Sequence, residues 1–251
     1  MSVARRFIFS GLVLVACGHT APTASPPAAI ASSPSLVELE PLAEGVWLHR
    51  TTHDEIPANG LVVATADDGA LLVDTGWSDA DGLALLAAVH DRLGRTVTDA
   101  IVTHSHDDRV GGVRALVAHG VHIHAGTATA AKMVADGLPA PDDAAASPAA
   151  RTIGGVDVEI FFPGAGHTRD NVVVWLPATK IVFGGCFVKS PAATDLGNIA
   201  DAELAAWPAS IAAVRARYPQ AAIIVPGHGP ITGDDPAIDG LARTAALLAA
   251  P

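Results

Sequence analysis

The chain has 251 residues, half of them apolar, which is enough for one large domain or two small ones with a sizeable core. Its formal net charge is −11, and a charge of this sign argues against nucleic acid as a partner because phosphate groups would be repelled. The sequence contains only three lysines, Lys132, Lys180 and Lys189, so an anionic substrate would have to be attracted by local charge.

The N-terminus is predicted to be a targeting segment. Arg5 and Arg6 precede an apolar run over residues 7–16, which is too short to span a bilayer as a stable helix. This run ends in the letters LVAC at Cys17, a pattern that resembles a bacterial lipoprotein cleavage box. We therefore expect residues 1–16 to be a lipoprotein-type signal peptide and Cys17 to carry a lipid anchor to the membrane.

The residues after the cleavage site are predicted to tether a folded domain. Gly18 favours sorting to the outer membrane, with the protein facing the periplasm. The alternative is an ordinary signal peptide cut near Ala21 or Ala24. Residues 17–35 are rich in Pro, Ala and Ser and cannot bury a core, so we expect a flexible linker followed by one domain over residues 36–251.

Short apolar runs alternate with helical spacings along this domain. The predicted strands are 46–49, 60–64, 70–74, 99–103, 121–125, 156–162, 172–176, 180–183 and 222–225. The predicted helices are 83–93, 112–119, 127–136, 202–217 and 236–248, and residues 138–150 are expected to be a loop. Asp201 is expected to cap the fourth helix, and Pro208 to kink or restart it. The chain begins with strands and continues with alternating strands and helices, and this order occurs twice. It predicts two sheets packed face to face with helices outside.

Six residues carry the donor atoms that zinc prefers, and each follows a predicted strand or lies next to glycine. They are His104, His106 and Asp108 in THSHDDR, His167 in PGAGHT, Cys186 in GGC and His228 in PGHG. Six donors are too many for one tetrahedral ion, but they suit two ions that each keep an open position, as in a catalytic site. Taken alone, each motif could also be a polar loop whose histidine is already hydrogen-bonded.

Cysteine and histidine usage supports the metal hypothesis. Cys186 is the only cysteine besides Cys17, and a thiol without a disulfide partner in an oxidising compartment needs a role that metal ligation would supply. Asp107 is expected to face solvent. The other histidines need no ligand role, although His53 lies where it could approach a substrate.

These motifs, in this order, resemble those of the class B (metallo-) β-lactamases. They match the subclass (B1) in which three histidines hold one zinc and Asp, Cys and His hold the other. The resemblance runs from residue 46 to 229 and also includes 73–77, 109–112, 170–171, Lys189, 197–201 and 207–208. It implies the α/β metallo-β-lactamase fold, a four-layer αββα sandwich of two mixed sheets. It also implies two Zn²⁺ per chain, the first on His104, His106 and His167 and the second on Asp108, Cys186 and His228.

The resemblance further implies an activity, antibiotic resistance through zinc-dependent hydrolysis of the β-lactam amide bond by a zinc-bound hydroxide. Penicillins, cephalosporins and carbapenems are the implied substrates, and a monomer is expected. Asp108 would help to direct the water, and Asn198 would donate to the developing oxyanion. Lys189 would pair with the substrate carboxylate, and Trp77 would contact the substrate.

Two residues would support the ligands, again by resemblance. Asp74 would orient a ligand histidine, and Arg109 would place a fixed charge beside the second zinc. Arg109 occupies the position where glyoxalase-like relatives carry a further histidine ligand. The chain departs from the family in two places. Residues 51–58 are shorter than the expected substrate-covering hairpin and lack an apolar tip, and Arg169 stands where small polar residues are more usual.

Two alternatives remain open at this stage. The first is another hydrolase of the same fold that acts on a thioester or a lactone, and Arg109, Cys186, Lys189 and Asn198 argue against it. The second is a non-catalytic zinc-binding lipoprotein, and the open coordination positions argue against that.

Overall fold

The structure of the chain is a computed structural model, and it describes residues 37–235 and 238–250. The predicted signal peptide, the predicted linker and Cys17 lie outside the described residues, so these three calls stay predictions. Within the described ranges, every helix is either too short or too polar to cross a membrane.

Seven strands form the larger sheet, in the same order as in the chain. They are β1 (Glu38–Ala43), β2 (Val46–His53), β3 (Ile56–Ala64), β4 (Gly69–Val73), β5 (Thr96–Val102), β6 (His122–Gly126) and β7 (Asp143–Ala145). Neighbours from β1 to β4 pair antiparallel, whereas neighbours from β4 to β7 pair parallel. The carboxyl ends of β4 and β5 therefore meet at one edge of this sheet, and the residues that follow them lie together.

Five strands form the smaller sheet, in the order β12-β11-β10-β9-β8. They are β8 (Ala149–Ile153), β9 (Val156–Phe161), β10 (Val173–Leu176), β11 (Ile181–Gly185) and β12 (Ile223–Pro226). Only β11 and β12 pair parallel, so the segments after these two strands also leave at a common edge.

The helices are α1 (Asp79–Leu93), α2 (Asp107–Val110), α3 (Val113–Ala118), α4 (Thr127–Ala135), α5 (Trp207–Arg217) and α6 (Gly240–Leu248). α1 has the clearest end signals in the sequence. The Ser78 side chain accepts the N–H of Asp81 at its start, and Gly94 adopts a left-handed φ of 63° at its end.

Three apolar clusters separate the layers. The first lies between the two sheets and includes Leu71 of β4 and Phe183 of β11. The second contains the neighbouring Leu72 with Leu85 of α1, so alternate residues of β4 face the other sheet and the helices. The third packs the smaller sheet against α5 and α6, with Trp207 at its centre. The predicted four-layer αββα sandwich with two mixed sheets is therefore confirmed.

A buried histidine of β2 reaches across β3 to the end of β4. His49 Nε2 lies 3.3 Å from the carbonyl oxygen of Val73 and 3.2 Å from that of Asp74. A Cβ at Gly60 would overlap the His49 imidazole, so the ring occupies the space that a side chain at position 60 would need. Burial lowers the pKa of His49 to about 4, so this ring is neutral and structural.

Several element predictions need correction. The expected loop over 138–150 contains β7 and the first residues of β8, and β1, β8 and α2 were not predicted as elements. The helix expected over 202–217 begins only at Trp207, with Pro208 in its first turn, where its ring fits without a kink. Asp201 does not cap that helix. The last helix begins at Gly240, after the cap residue Asp239.

Candidate metal centre

Four short segments, each placed by a strand end, bring the predicted ligands together. β5 ends at Val102, and His104 lies two residues further along the chain. His106 is the extended residue before α2, with φ −75° and ψ 153°, and Asp108 lies in the first turn of that helix. A helical turn therefore places Asp108. Asp107 is exposed, as expected.

The imidazoles of His104, His106 and His167 face one another edge-on. Their ring centroids are 4.8, 5.0 and 5.1 Å apart. Nε2 of His106 lies 2.9 Å from Oδ2 of Asp201, which leaves Nδ1 as the nitrogen available to an ion. Among the described residues, Nε2 of His104 is buried with no hydrogen-bond partner. Such an orphaned nitrogen is costly unless something else binds it, and a metal ion fits that need.

Asp108, Cys186 and His228 form a second, tighter group. Sγ of Cys186 lies 3.2 Å from Oδ2 of Asp108 and 3.1 Å from Nε2 of His228. That Nε2 is also 3.1 Å from Oδ2 of Asp108. Nδ1 of His228 is 2.8 Å from the carbonyl oxygen of Pro57, which turns Nε2 toward the other two donors. Burial alone would lower the pKa of His228, but the neighbouring Cys186 and Asp108 outweigh that effect and raise it to about 9.

The six predicted ligands make one continuous cluster. Three groups have donor atoms within 4.8 Å of one another: His104, His167 and Cys186; His104, His106 and Asp108; and Asp108, Cys186 and His228. The last is the predicted ligand set of the second ion. Imidazole nitrogen, carboxylate oxygen and thiolate sulfur together suit zinc better than a hard cation such as magnesium. The donor set therefore fits zinc.

Arg109 is fully buried and binds the second group from behind. Its Nη2 lies 2.9 Å from Oδ2 of Asp108 and 2.9 Å from Sγ of Cys186, and it donates to the carbonyl oxygen of Gly227 at 2.9 Å. Burial alone would raise the pKa of Asp108, but Arg109 and then His228 outweigh that effect and hold it well below its usual range. Asp108 is therefore an anion in this structure.

Asp74 has a different role from the expected one. Its carboxylate accepts the backbone N–H of Thr103 at 2.8 Å and the Thr103 hydroxyl at 3.0 Å, and it pairs with Arg109 at 3.1 Å. It does not contact a ligand histidine through its carboxylate; it fixes the residue before His104. The residues that do orient ligand histidines, Asp201 and Pro57, were not predicted in that role.

A cavity of about 790 Å³ opens over the cluster. All three predicted substrate contacts, Lys189, Asn198 and Trp77, line it. The Lys189 ammonium lies 5.3 Å from the centroid of the Trp207 ring, and burial lowers its pKa. Oδ1 of Asn198 accepts the N–H of Ala200 at 3.0 Å, which leaves its amide N–H groups to donate elsewhere.

The hairpin of β2 and β3 borders this cavity. Ile56 is 49% exposed and lines the cavity, so the short hairpin does present one apolar side chain beside its turn. His53 stacks on Trp77 with ring centroids 5.6 Å apart, and Trp77 is 6.0 Å from the His228 ring. His53 itself is not among the residues that line the cavity.

Comparison with known proteins gives one consistent family. Residues 53–228 match the family model described as the Metallo-beta-lactamase superfamily. The chain is 39% identical over 199 residues to a metallo-β-lactamase type 2 from Bacillus cereus, which covers 78% of this chain and 77% of that protein. It is 38% identical over 180 residues to one from Bacteroides fragilis, with 72% of each covered.

Solved structures agree. A metallo-β-lactamase from Pontibacter korlensis superposes with a TM-score of 0.78 at 40% identity, covering 85% of this chain and 99% of that one. The metallo-β-lactamase FIM-1 from Pseudomonas aeruginosa, solved in a mono-zinc form, gives a TM-score of 0.75 at 36% identity, covering 84% and 94%.

Proposed function

The chain belongs to the metallo-β-lactamase superfamily, and we propose that it hydrolyses the amide bond of β-lactam antibiotics with zinc. The observation that carries this proposal is the group of Asp108, Cys186 and His228, whose donor atoms lie 3.1 to 3.2 Å apart at the base of the cavity. A cysteine in this group is the feature that resembles subclass B1.

We assign two ions to the cluster. His104, His106 and His167 would hold the first, and Asp108, Cys186 and His228 the second. Zinc in such a site supplies a Lewis acid and makes a nucleophile available at neutral pH. Arg109 keeps Asp108 ionised and holds it beside Cys186 before any ion binds, so the second group is preorganised.

The other lining residues position the substrate. Lys189 is a half-buried ammonium group at the cavity wall, and it would pair with the carboxylate of the substrate. Asn198 has free amide N–H groups that would donate to the oxygen on which negative charge develops. Trp77 and Ile56 supply apolar contact on the other side of the ligands.

We also propose that the protein is exported as a monomeric lipoprotein that faces the periplasm. The LVAC sequence before Cys17 supports the lipid anchor, and the linker over residues 17–35 would let the domain stand off the membrane.

The function is tested with the chromogenic β-lactam nitrocefin and the purified mature chain, with zinc content measured alongside. We expect turnover that a zinc chelator abolishes and added zinc restores. Asp108→Ala should lower turnover about 100-fold or more because it removes a ligand. Asp91→Ala, which removes an exposed carboxylate of α1, should keep the parental rate. The absence of nitrocefin hydrolysis by zinc-loaded parent would refute the proposal, and a thioester and a lactone substrate would then be assayed.

A further inference from the structure

The cavity over the ligand cluster has a distinctive distribution of charge. Besides the ligand Asp108, its lining includes four carboxylates, Asp107, Asp136, Asp195 and Asp201, and two ammonium groups, Lys132 and Lys189. Carboxylates therefore outnumber lysines, and the partners of each charge decide what a bound molecule would meet.

Two of these carboxylates already have a side-chain partner within the protein. Asp136 pairs with Lys132 at 2.9 Å, one helical turn away on α4, so neither of them offers a free charge to the cavity. Asp201 lies 2.9 Å from Nε2 of His106. Both contacts are made within the protein and need no substrate.

Asp107 differs from the other three carboxylates because, among the described residues, its side chain has no partner of any kind. Over residues 37–235 and 238–250, its carboxylate has neither a hydrogen bond nor an ion pair, and it is exposed. Its position is nevertheless fixed, because it lies between His106 and Asp108 and its carbonyl oxygen accepts the N–H of Gly111 at 2.8 Å. Asp107 thus presents a full negative charge beside both ligand groups.

The other charged groups that line the cavity do not cancel the charge of Asp107. Asp195 accepts only the backbone N–H of Gly197, at 2.8 Å, and keeps its own negative charge. Lys189 is the cation assigned to the carboxylate that all common β-lactams carry. Once that pair forms, the side chains facing the rest of the substrate are negative.

Resting on the proposed function, we propose that Asp107 is a specificity-determining residue. It favours β-lactams whose acyl side arm carries a cation over β-lactams whose side arm carries a second carboxylate. Attraction or repulsion between a side-arm charge and an exposed carboxylate changes kcat/KM about two- to fivefold for each kind of arm. Bound zinc and the other charged lining groups act on the same side arms, so the contribution of Asp107 is isolated by comparing the parent with a variant that lacks this carboxylate.

Three penicillins provide a matched test. Benzylpenicillin, ampicillin and carbenicillin share the bicyclic nucleus and the phenylacetyl arm, whose α-carbon carries hydrogen, an ammonium group or a carboxylate. Measurements at about pH 6.5 keep the ampicillin amine protonated, because this lies below the ordinary pKa of an α-amino group. In the parent we expect kcat/KM, normalised to benzylpenicillin, to be higher for ampicillin than for carbenicillin. Added salt should shrink the difference by screening it.

The variant Asp107→Asn removes the charge and keeps the shape. We expect its ratio of kcat/KM for ampicillin over carbenicillin to fall about fivefold below the parental ratio, at equal zinc content. The matched control is Asp67→Asn, which removes one exposed carboxylate in the turn before β4. Its ratio should equal that of the parent, which shows that net charge alone is not the cause.

Two results would overturn the inference, and they are distinguishable. If the parent hydrolyses all three penicillins and Asp107→Asn leaves the ratio unchanged, the specificity role is wrong while the proposed function stands. If zinc-loaded parent hydrolyses none of them, the proposed function is wrong, and this inference falls with it.

Discussion

Arg109 is the single side chain on which the second ligand group depends. One guanidinium contacts the carboxylates of Asp74 and Asp108, the sulfur of Cys186 and two backbone carbonyls. The two terminal nitrogens of a planar guanidinium reach all five groups, whereas the single nitrogen of an ammonium could not. The same charge that stabilises the fold therefore also arranges the metal ligands.

We expect Arg109→Met to be strongly destabilising. It leaves two buried carboxylates without their cation, which costs about 3–5 kcal/mol of unfolding free energy. It should also weaken zinc binding about 10- to 100-fold, because Asp108 and Cys186 lose the group that orients them. Urea unfolding with chelator present and a zinc titration would measure the two effects.

The matched control is Arg95→Met. Arg95 donates to the carbonyl oxygens of Thr65 and Gly69 at 3.2 and 3.0 Å and contacts no carboxylate in those bonds. Its loss should cost only about 1 kcal/mol and leave zinc affinity unchanged. Equal losses of unfolding free energy and of zinc affinity in the two variants would show that the buried ion pairs contribute no more than ordinary hydrogen bonds.

At the residue scale, the sequence predicted the metal ligands better than the residues that orient them. The ligand motifs carry short, local signals, such as the spacing of His104, His106 and Asp108. The supports are contacts between distant segments: Asp201 is 95 positions from His106, and Pro57 is 171 positions from His228. No local pattern encodes such contacts, and the carboxylate of Asp74 was for the same reason assigned to the wrong partner.

At the scale of elements, the hairpin beside the cavity has an unfavourable turn. The last residue pair between β2 and β3 is His53 with Ile56, so only Asp54 and Glu55 form the loop. Both adopt positive φ, 47° and 66°, as a two-residue hairpin turn requires. Aspartate tolerates this region, but glutamate does so poorly.

Glu55→Gly should therefore stabilise the protein. Relief of the left-handed conformation is worth about 1–2 kcal/mol and is partly offset by the entropy of glycine in the unfolded chain, which leaves about 0.5–1 kcal/mol. Thermal unfolding would measure the gain. Glu55→Gln removes the same charge without relieving the backbone, and it should leave the melting temperature nearly unchanged. A gain of equal size in both variants would attribute the effect to charge instead.

Two of the elements missed in the sequence, β7 and α2, are too short to leave a recognisable pattern. β7 has three residues and lies in an alanine-rich segment, so neither alternation nor β-branched side chains mark it. α2 has four residues, too few for helical periodicity to show. By contrast, the buried half of β3 over residues 60–64 and most of α1, from residue 83, were located because apolar side chains recur there at strand and helix spacing. The first turn of α1, after its cap Ser78, was missed.

At the scale of the whole molecule, the ligand cluster connects the two sheets. His104, His106 and Asp108 follow β5 of the larger sheet, whereas Cys186 and His228 follow β11 and β12 of the smaller one. An ion held by both sets would resist their separation. The two-sheet architecture was predictable from the order of strands and helices, but the register that aligns these edges is fixed by packing between sheets.

We expect zinc to stabilise the fold by an amount that grows with the logarithm of its affinity. A free zinc concentration of about 1,000 times the dissociation constant adds about 4 kcal/mol per site. For a domain of this size, that corresponds to a rise of roughly 10 °C in Tm. Calorimetry with zinc, with chelator and with magnesium would test this, and magnesium should give no shift because it prefers oxygen ligands. Identical melting temperatures in all three conditions would show that no ion bridges the sheets.

The overlap between the His49 ring and any side chain at position 60 also constrains how this protein can evolve. A mutation that adds bulk at position 60 is harmful while His49 is present, and losing the imidazole first leaves two carbonyl groups without their donor. Replacing His49 does not free position 60, because a Cβ there would still lie 2.5 Å from the backbone carbonyl oxygen of Val73. Position 60 is thus expected to stay glycine whichever residue occupies position 49.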